Sequence, residues 1–449
     1  MNLNSFKSIY FLGIGGIGMS ALADYFYNQG LIIGGYDKTQ SQLTDSLVSK
    51  GIEIIFRDSV NLIGKEFRDS KNTLIIITPA INGTNKILNF FTAQNFMVVK
   101  RAEVLGIITS KTRCLAVAGT HGKTTTSSIL AHLMFQSNKK IYAFLGGISM
   151  NFASNFFQNG SDFSVVEADE FDKSFLHLRP EIACITSIDS DHMDTYGDKK
   201  NLENTFKDFS NKLVSTERLF VHDSVSIKGV SYGVDTDTDY SAKNITYENG
   251  FYVFDLKTPN GIFKEFKLPM PGRHNLSNAV VALAMALYCG CNENDLKTGL
   301  ESYMGVERRF SYIIKRGSLV FIDDYAHHPR EIEAVEKAIR EIHPGKKITA
   351  VFQPHLYSRT RDHIDDFAEQ LSNFDAVLLL DIYPARELPI DGVNSKWLLK
   401  KIKSNIKQHV KKENLFGEIR KINNPVLVTM GAGDISLEVS TLSKMLTNA

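Results

Sequence analysis

The sequence has few of the residues that mark several specialised classes of protein. Only four of its 449 residues are cysteines, namely Cys114, Cys184, Cys289 and Cys291, and none of them forms a CxxC pair. This low density excludes a disulfide-stabilised scaffold and favours a reducing compartment. Each cysteine stands in an apolar stretch, which predicts that it is buried as a small hydrophobic residue.

Long apolar runs and an export signal are also lacking. The longest apolar runs, such as Ala279–Leu287, reach about half of the roughly 20 residues that a membrane span requires. The first residues, MNLNSFKSIYFLGIGG, have no charged segment before an apolar run and no small-residue cleavage site. We therefore expect a cytoplasmic protein with no membrane partner.

Net charge is nearly absent, since 51 lysines and arginines face 50 aspartates and glutamates, which leaves a formal charge of +1. A protein that binds nucleic acid normally has a marked basic excess, so no nucleic-acid partner is expected. The hydrophobic content of 43% is ordinary for a soluble protein. The length suggests about three domains. These properties favour a large, multi-domain soluble enzyme.

What the sequence does contain is a recurring order of strand followed by helix. Strand-like runs cover Ser8–Gly15, Arg113–Gly119 and Lys347–Phe352, and each precedes a helical pattern. Alternation of this kind predicts α/β domains in which helices cover parallel sheets. We place the domain boundaries near residues 109 and 313, which gives domains of residues 1–108, 109–312 and 313–449.

Two segments depart from this order. Short alternating runs fill Leu219–Leu268 and are separated by Asn-Gly pairs at positions 249–250 and 260–261. Because Asn-Gly between alternating runs is a strong hairpin signal, we predict an antiparallel addition to the middle domain. The lysine-rich segment Lys400–Lys412 predicts a solvated helix face rather than a binding patch.

The first motif with a chemical meaning is a glycine loop, Gly13-x-Gly15-x-x-Gly18, that follows the first strand. Glycines at this spacing allow a tight turn and let the backbone approach a diphosphate at the start of a helix. Asp37 closes the next strand, near the spacing of a residue that accepts from a ribose hydroxyl. The motif predicts a diphosphate ligand, with a nicotinamide cofactor as the default choice and a purely structural turn as the alternative.

The second motif is Gly119-Thr-His-Gly-Lys-Thr-Thr-Thr126, which also follows a strand. Its glycines and the following helix can surround a nucleotide phosphate, Lys123 can reach the β- and γ-phosphates, and Thr124 can offer a hydroxyl to Mg²⁺. Val117 stands where the usual pattern has a further glycine, so this is a shortened P-loop. The motif predicts an ATP site, which a nicotinamide enzyme would not need.

The third motif consists of two acidic runs, Glu167–Asp172 and Asp189–Asp194, each of which follows a strand-like run. Residues at the carboxyl ends of neighbouring strands converge where α/β sheets bind ligands. One carboxylate and one histidine at such a place suit Mg²⁺, which takes few protein ligands and completes its shell with phosphate and water. The alternative is that these acids cap helices, and some of them must do so.

Taken in chain order, the motifs resemble those of the Mur ligase family of ATP-dependent amide-forming ligases. The resemblance runs nearly from end to end, and the shortened P-loop is typical of the whole family. The matching segments are FLGIGGIGMSALA, RAEVL, AGTHGKTTT, EADEFDKSFL, SDHMDTYG, PGRHNLSNA, GVERRF, DDYAHHP, PHLYSRTRD and MGAGDI.

The resemblance implies three α/β domains. These are a Rossmann-like N-terminal domain for a UDP-sugar, a P-loop ATPase-like central domain with added antiparallel strands, and a Rossmann-like C-terminal domain that contacts ATP and an amino acid. The glycine loop would then hold a UDP diphosphate and not NAD. The expected substrates are UDP-N-acetylmuramate, L-alanine and ATP with Mg²⁺, joined through an acyl phosphate in peptidoglycan precursor synthesis. The alternative is a recycling ligase that joins a preformed murein tripeptide to the same sugar nucleotide.

Motif matching also implies roles for single residues. Those implied for the UDP-sugar are Gly13, Gly15, Gly16, Ile17, Gly18 and Asp37. Those implied for ATP are Gly119, Thr120, His121, Gly122, Lys123, Thr124, Thr125, His274, Asn275, Asn278, Arg308, Arg309 and Asp324. Those implied for the amino acid are Tyr325, His327 and Arg359, and those implied for Mg²⁺ are Thr124, Glu167 and His192. The residues implied as catalytic are Lys123, His192, His327 and Arg359.

Two departures from the family pattern affect these assignments. Leu356 stands where some relatives carry arginine, so we expect Arg359 to hold the carboxylate of the amino acid with less help. Lys207 lies one place beyond the position of a lysine that several members carbamylate, and we give it no role. The presence of Lys123, Thr124, Glu167 and His192 argues against a non-catalytic sugar-nucleotide sensor.

Overall fold

The structure is a computed structural model that describes residues 1–189, 196–385 and 387–447. The chain forms two compact units. The first comprises Met1–Ile245, Val253–Lys267 and Ser277–Met304, and the second comprises Thr246–Tyr252, Leu268–Leu276 and Gly305–Ala449, with the undescribed residues left aside.

The first part of the first unit is a five-stranded parallel sheet in the order β3-β2-β1-β4-β5. Its strands are β1 (Ser8–Leu12), β2 (Ile32–Tyr36), β3 (Glu53–Ile55), β4 (Thr73–Ile77) and β5 (Met97–Lys100). Its helices are α1 (Ile17–Asn28), α2 (Gln42–Ser49), α3 (Lys86–Ala93) and α4 (Arg101–Thr109). All five residues of β1 are buried, as expected for a strand covered on both faces. The strand order reverses between β1 and β4, which is where such sheets bind ligands.

The middle of the chain builds a ten-stranded sheet in the order β15-β14-β13-β12-β11-β10-β6-β9-β7-β8. Its strands are β6 (Arg113–Ala118), β7 (Ile141–Ser149), β8 (Ser154–Gln158), β9 (Phe163–Glu167), β10 (Ile182–Ile185), β11 (Leu219–His222), β12 (Val230–Val234), β13 (Tyr240–Glu248), β14 (Phe251–Thr258) and β15 (Gly261–Leu268). The helices of this region are α5 (Lys123–Gln136), α6 (Lys199–Ser210), α7 (Arg273–Tyr288) and α8 (Glu293–Glu301).

The segment Leu219–Leu268 is only partly antiparallel, which corrects the sequence-based prediction. Asn249-Gly250 forms the predicted two-residue turn between β13 and β14, whereas Pro259-Asn260 forms the turn between β14 and β15, and Gly261 is the first residue of β15. Strand β11 pairs in parallel with β10 and with β12, and β12 pairs in parallel with β13. Alternating hydrophobicity marks a half-buried strand without fixing its direction, and only the Asn-Gly turns carry information on direction.

The second unit contains a six-stranded sheet in the order β16-β17-β21-β18-β19-β20, in which only the pairing of β16 with β17 is antiparallel among the described residues. Its strands are β16 (Ser311–Lys315), β17 (Val320–Asp324), β18 (Ile348–Phe352), β19 (Ala376–Leu379), β20 (Ile406–His409) and β21 (Val426–Met430). Its helices are α9 (Pro329–Ile342), α10 (Tyr357–Asp362), α11 (Ile364–Leu371), α12 (Ser395–Lys401), α13 (Leu415–Ile422) and α14 (Ser436–Thr447).

The lysine-rich segment Lys400–Lys412 is not a helix face, which corrects a second prediction. Helix α12 ends at Lys401, and the segment continues into β20, an edge strand whose residues are mostly exposed. Charged side chains on an edge strand discourage pairing with another chain, so the lysine pattern suits an edge as well as a helix.

Two other predictions concern burial and membrane contact. All four cysteines are buried free thiols, as predicted. Within the described residues, no helix combines the length and the apolar character that a membrane crossing requires.

Candidate active site

The glycine loop lies between β1 and α1, where the strand order of the first sheet reverses. Gly13 has a φ of +88°, and a Cβ atom there would lie 2.6 Å from Cγ2 of Thr78. The amides of Gly13 and Ile14 donate to the carbonyl of Tyr36 at 2.7 and 3.1 Å. The turn therefore requires glycine at position 13, and it brings Gly16 and Ile17 to the start of α1, where backbone amides can meet an anion.

Asp37 holds this loop. One carboxylate oxygen of Asp37 accepts from the amide of Gly15 at 2.8 Å, and the other accepts from the amide of Thr39 at 3.1 Å. Gly15 must lack a side chain, because a Cβ atom there would lie 2.9 Å from the same carboxylate. The contact of Asp37 with a ribose hydroxyl stays a prediction. The structure shows a second role for Asp37, which is to fix the conformation of the glycine loop.

A cavity of about 250 Å³ lies directly beside the glycine loop. One wall consists of the first turn of α1 with Thr78 and Arg101, and the other contains Gly146, Glu167 and Asp169. The loop that follows the first strand of the chain and the acidic run that follows β9 therefore face the same space.

Contacts within the first unit fix the start of α1 against the ten-stranded sheet. The side-chain amide of Asn155, on β8, donates to the carbonyl of Ile17 at 2.5 Å and to the hydroxyl of Ser20 at 2.9 Å. The ring of Tyr25, on α1, packs edge-on against Tyr142 with ring centres 5.8 Å apart. These contacts set the distance between the glycine loop and Glu167.

The shortened P-loop has the expected strand–turn–helix form. Gly119 and Gly122 have φ values of +131° and +82°, and α5 begins at Lys123. A Cβ atom at Gly122 would lie 2.5 Å from Oδ1 of Asn278, on α7, so this glycine is required for close packing. Thr124 and Thr125 lie buried in the first turn of α5.

Lys123 contacts a carboxylate that the sequence did not assign. Its Nζ atom lies 2.9 Å from Oε2 and 3.0 Å from Oε1 of Glu170, whose side chain is fully buried, and it also donates to the carbonyl of Gly119 at 2.7 Å. Burial alone would lower the pKa of Lys123, but the carboxylates of Glu170 and Asp169 outweigh it and raise the pKa above its ordinary value. Lys123 is therefore positively charged in the folded protein.

The loop after β10 holds the P-loop from the opposite side. The hydroxyl of Ser187 accepts from the amide of His121 at 3.0 Å and lies 2.9 Å from the hydroxyl of Thr120. The amide of Asp189 donates to the hydroxyl of Thr120 at 3.0 Å, and its carboxylate lies 3.5 Å from Nε2 of His121. Thr120 and His121 thus have a structural role, since their amides donate to the carbonyl and the hydroxyl of Ser187, respectively.

The residues predicted for Mg²⁺ include two oxygen donors among the described residues. Thr124 offers a hydroxyl, and Glu167, at the end of β9, accepts from the amide of Gly146 at 3.0 Å with one carboxylate oxygen. His192 lies outside the described residues. No cluster of three histidine, cysteine, aspartate or glutamate side chains forms a metal site within the described part of the chain. Mg²⁺ does not need such a cluster, because it retains waters and binds phosphate, so the oxygen donors present fit it.

Three of the residues predicted for ATP divide between the two units. Asn278 lies in the first unit, against the P-loop, whereas His274 and Asn275 belong to the second. Burial and the nearby charge of Arg309 lower the pKa of His274 to about 4, so its ring is neutral at physiological pH. The side chain of Asn275 donates to the carbonyl of Pro271 at 2.6 Å and so fixes the start of α7.

The two arginines of the second unit have different surroundings. Nε of Arg308 lies 2.9 Å from a carboxylate oxygen of Asp323, and its Nη2 donates to the carbonyl of Gly431 at 2.7 Å. Nη1 of Arg309 lies 3.9 Å from a carboxylate oxygen of Glu331. Both guanidinium groups lie 5.2 Å from the ring centre of Tyr325. The side chain of Arg308 is thus fixed by Asp323 and Gly431, whereas the ion pair of Arg309 with Glu331 is longer.

Asp324 is a buried carboxyl group at the end of β17. Its two oxygens accept from the amides of Phe310 and Ala326, each at 2.7 Å. Burial raises the pKa of Asp324 to about 6, although Arg309 and the two amide donors oppose the shift. Its position therefore anchors the segment that carries the two arginines.

The structure brings the predicted amino-acid residues together through two residues that sequence reasoning missed. The ring of His327 lies 5.3 Å from that of Tyr325 and 5.9 Å from that of His355. Nη1 of Arg359 lies 3.4 Å from Nδ1 of His355, whose ring stacks on Tyr383 at 5.7 Å. His355 lies in the same PHLYSRT segment as Arg359 but before the start of α10, so its place in that motif, and not a helical spacing, is the signal that could have indicated it.

Comparison with known proteins identifies the family. The family model described as "Mur ligase family, catalytic domain" matches residues 8–113, the "Mur ligase middle domain" matches residues 117–286, and the "Mur ligase, glutamate ligase domain" matches residues 308–433. The UDP-N-acetylmuramate–L-alanine ligase of Flavobacterium psychrophilum is 52% identical over 446 residues, which cover 99% of each chain. The chain belongs to the Mur ligase family. The resemblance predicted from the motifs is therefore confirmed.

Solved Mur ligase structures share the fold. The UDP-N-acetylmuramate–alanine ligase of Thermotoga maritima is 26% identical, with a TM-score of 0.84, and the match covers 98% of this chain and 99% of that one. The murein peptide ligase of Psychrobacter arcticus is 20% identical with a TM-score of 0.73, and each chain is covered to 99%. The predicted three-domain α/β fold of this ATP-dependent ligase family is confirmed.

Proposed function

We propose that this Mur ligase joins the amine of L-alanine to the carboxylate of UDP-N-acetylmuramate, with ATP converted to ADP and phosphate. The observation that carries the proposal is the cavity in which the start of α1 faces Glu167 and Asp169. In this cavity the start of α1 can bind the diphosphate of the sugar nucleotide while the carboxylate of the same substrate lies beside Glu167 and Asp169. The relative from Flavobacterium psychrophilum, named for this reaction, supports the choice of substrates.

The reaction has two steps whose atoms balance. A carboxylate oxygen of the sugar nucleotide attacks the γ-phosphorus of ATP, and ADP leaves. The alanine nitrogen then attacks the acyl carbon, a proton is lost from that nitrogen, and phosphate leaves as the tetrahedral intermediate collapses. Both reactants of the first step are anions, so cations must lie between them. Lys123, kept protonated by Glu170, supplies one such cation.

Mg²⁺, when bound, would neutralise phosphate charge, and Thr124 and Glu167 provide oxygen donors for it. His192 remains a predicted ligand. The P-loop residues Gly119 to Thr125 would hold the phosphates, with Asn278 behind Gly122. The substrates and ATP are metabolites of the cell interior, so we place the reaction in the cytoplasm.

Residues of the second unit would bind the amino acid. Arg359 can form a bidentate pair with its carboxylate, because a planar guanidinium matches that geometry. Tyr325 and His327 lie on the connected set of rings that leads to Arg359 through His355. We assign Arg309 to ATP phosphate in preference to Arg308, since Arg308 is already paired with Asp323.

A substrate-omission assay tests the proposal. Phosphate release should require ATP, Mg²⁺, UDP-N-acetylmuramate and L-alanine together, and equal release without the UDP-sugar would contradict it. Competition between L-alanine and a murein tripeptide separates the two functions considered from the sequence. Incorporation of alanine in preference to the tripeptide supports the proposal, and the reverse result would assign the chain to recycling.

A further inference from the structure

Arg101 is the first residue of α4, and neither the motif assignments nor the proposed mechanism uses it. It follows β5 directly, and its side chain is 19% exposed. The guanidinium group lies against the first turn of α1, since a Cβ atom at Gly18 would be 2.7 Å from Nη1 of Arg101. The third glycine of the loop therefore makes room for this side chain.

Charge in the cavity gives Arg101 a specific importance. Among the described residues that line the cavity, Arg101 is the only cation, whereas Glu167 and Asp169 are both carboxylates. An anionic substrate would be repelled by these two groups unless a cation met it. Arg101 is the cation that the protein itself supplies on this wall.

The ion pair between Arg101 and Asp169 is long. Nη2 of Arg101 lies 3.7 Å from Oδ2 of Asp169, which is beyond hydrogen-bond distance. The neighbouring Lys100 makes a closer pair, at 3.0 Å, with the more exposed Asp172. A diphosphate offers more acceptor oxygens than Asp169 does, and it can replace this weak contact with bidentate hydrogen bonds.

We propose that Arg101 binds the diphosphate of the UDP-sugar, opposite the backbone amides at the start of α1. The inference rests on the proposed function, because it concerns the same sugar nucleotide. The diphosphate would lie between the helix start and the guanidinium group, with Gly18 allowing both to approach it. Arg101 thereby positions the substrate whose far end carries the reacting carboxylate.

Calorimetric titrations without ATP or alanine test this role. The protein, the Arg101→Met variant and the Lys100→Met control would each be titrated with UDP-N-acetylmuramate, UDP-N-acetylglucosamine and uridine. Arg101→Met should raise the Kd for both UDP-sugars by tenfold or more and leave the Kd for uridine unchanged. Lys100→Met, which removes a neighbouring cation and its ion pair, should change each Kd by less than twofold.

Three results would overturn the inference. A loss of affinity for UDP-N-acetylmuramate alone would mean that Arg101 contacts its lactyl carboxylate, which UDP-N-acetylglucosamine lacks. Equal weakening of uridine would indicate a structural role, and unchanged binding would indicate none. If the unaltered protein bound neither UDP-sugar, the proposed function itself would fail, so the two failures can be distinguished.

Two further variants keep the test decisive if Arg101→Met folds poorly. Arg101→Lys retains the charge without the planar fork, and it should bind the UDP-sugars with intermediate affinity. Gly18→Ala places a methyl group where the guanidinium lies, and it should weaken both UDP-sugars severalfold. Wild-type affinity in both variants would contradict the proposed contact.

Discussion

The carboxylate of Glu170 lies 2.9 Å from the ammonium group of Lys123, and the two side chains are 0% and 13% exposed. The lysine expected to meet the phosphates of ATP is thus held by a buried counter-charge. Its hydrogen bond to the carbonyl of Gly119 adds a second restraint. Phosphate must compete with both contacts, so the pair links the stability of the P-loop to nucleotide binding.

The first prediction concerns this pair. Glu170→Gln should destabilise the protein by about 3 kcal/mol or more, because it leaves the buried ammonium group of Lys123 without its counter-charge. The double variant Glu170→Met/Lys123→Met should recover much of this loss, since it removes both charges. Urea unfolding followed by circular dichroism measures the difference. Equal stability of the single and double variants would contradict a buried, energetically coupled pair.

The second prediction separates the two substrate sites. Lys123→Met should abolish phosphate release, because the γ-phosphate then lacks its cation, while UDP-N-acetylmuramate still binds with a Kd within about threefold of wild type. That sugar nucleotide is assigned to the glycine loop and not to the P-loop. Calorimetry without ATP provides the binding measurement. Loss of both properties in a folded variant would show that the sites are not separate.

The local motifs could be predicted from the sequence, and the long-range partners could not. The glycine loop at Gly13 and the P-loop before Lys123 depend on a few adjacent residues, so strand, turn and helix signals were sufficient. Glu170, Ser187 and Tyr383 reach their partners through the pairing order of strands, which spacing along the chain does not reveal. The parallel strands after β10 were missed for the same reason, because alternation does not encode strand direction.

The third prediction concerns Asp37, for which two roles compete. If its main role is to accept from the amide of Gly15, Asp37→Asn should lower the affinity for UDP and for 2′-deoxy-UDP by the same factor, since the binding of both depends on the loop. If the carboxylate contacts the ribose, UDP should lose more affinity than the deoxy compound. We expect equal weakening of about tenfold, and titration with both ligands measures it.

The fourth prediction is a pH dependence of stability. The folded protein holds a proton on Asp324 up to about pH 6, whereas the unfolded chain releases it near pH 4, so stability should fall as pH rises between these values. Asp324→Asn should remove this component. The difference in the free energy of unfolding between wild type and variant should therefore change between about pH 4 and pH 6 and be constant above about pH 6. Fluorescence of Trp397, the single tryptophan, reports urea unfolding of the second unit. A pH-independent difference between wild type and variant would contradict the shift.

The fifth prediction tests the assignment of the amino acid to Arg359. Arg359→Lys should raise the KM for L-alanine by tenfold or more and change the KM for ATP by less than threefold, because lysine cannot form the bidentate pair with a carboxylate. Arg361→Lys is the matched control on the same helix, where Arg361 is exposed and pairs with Asp362 at 2.7 Å. Initial-rate phosphate assays with each substrate varied in turn provide the constants. An equal effect of the two substitutions, or a larger change for ATP than for alanine, would remove Arg359 from the amino-acid site.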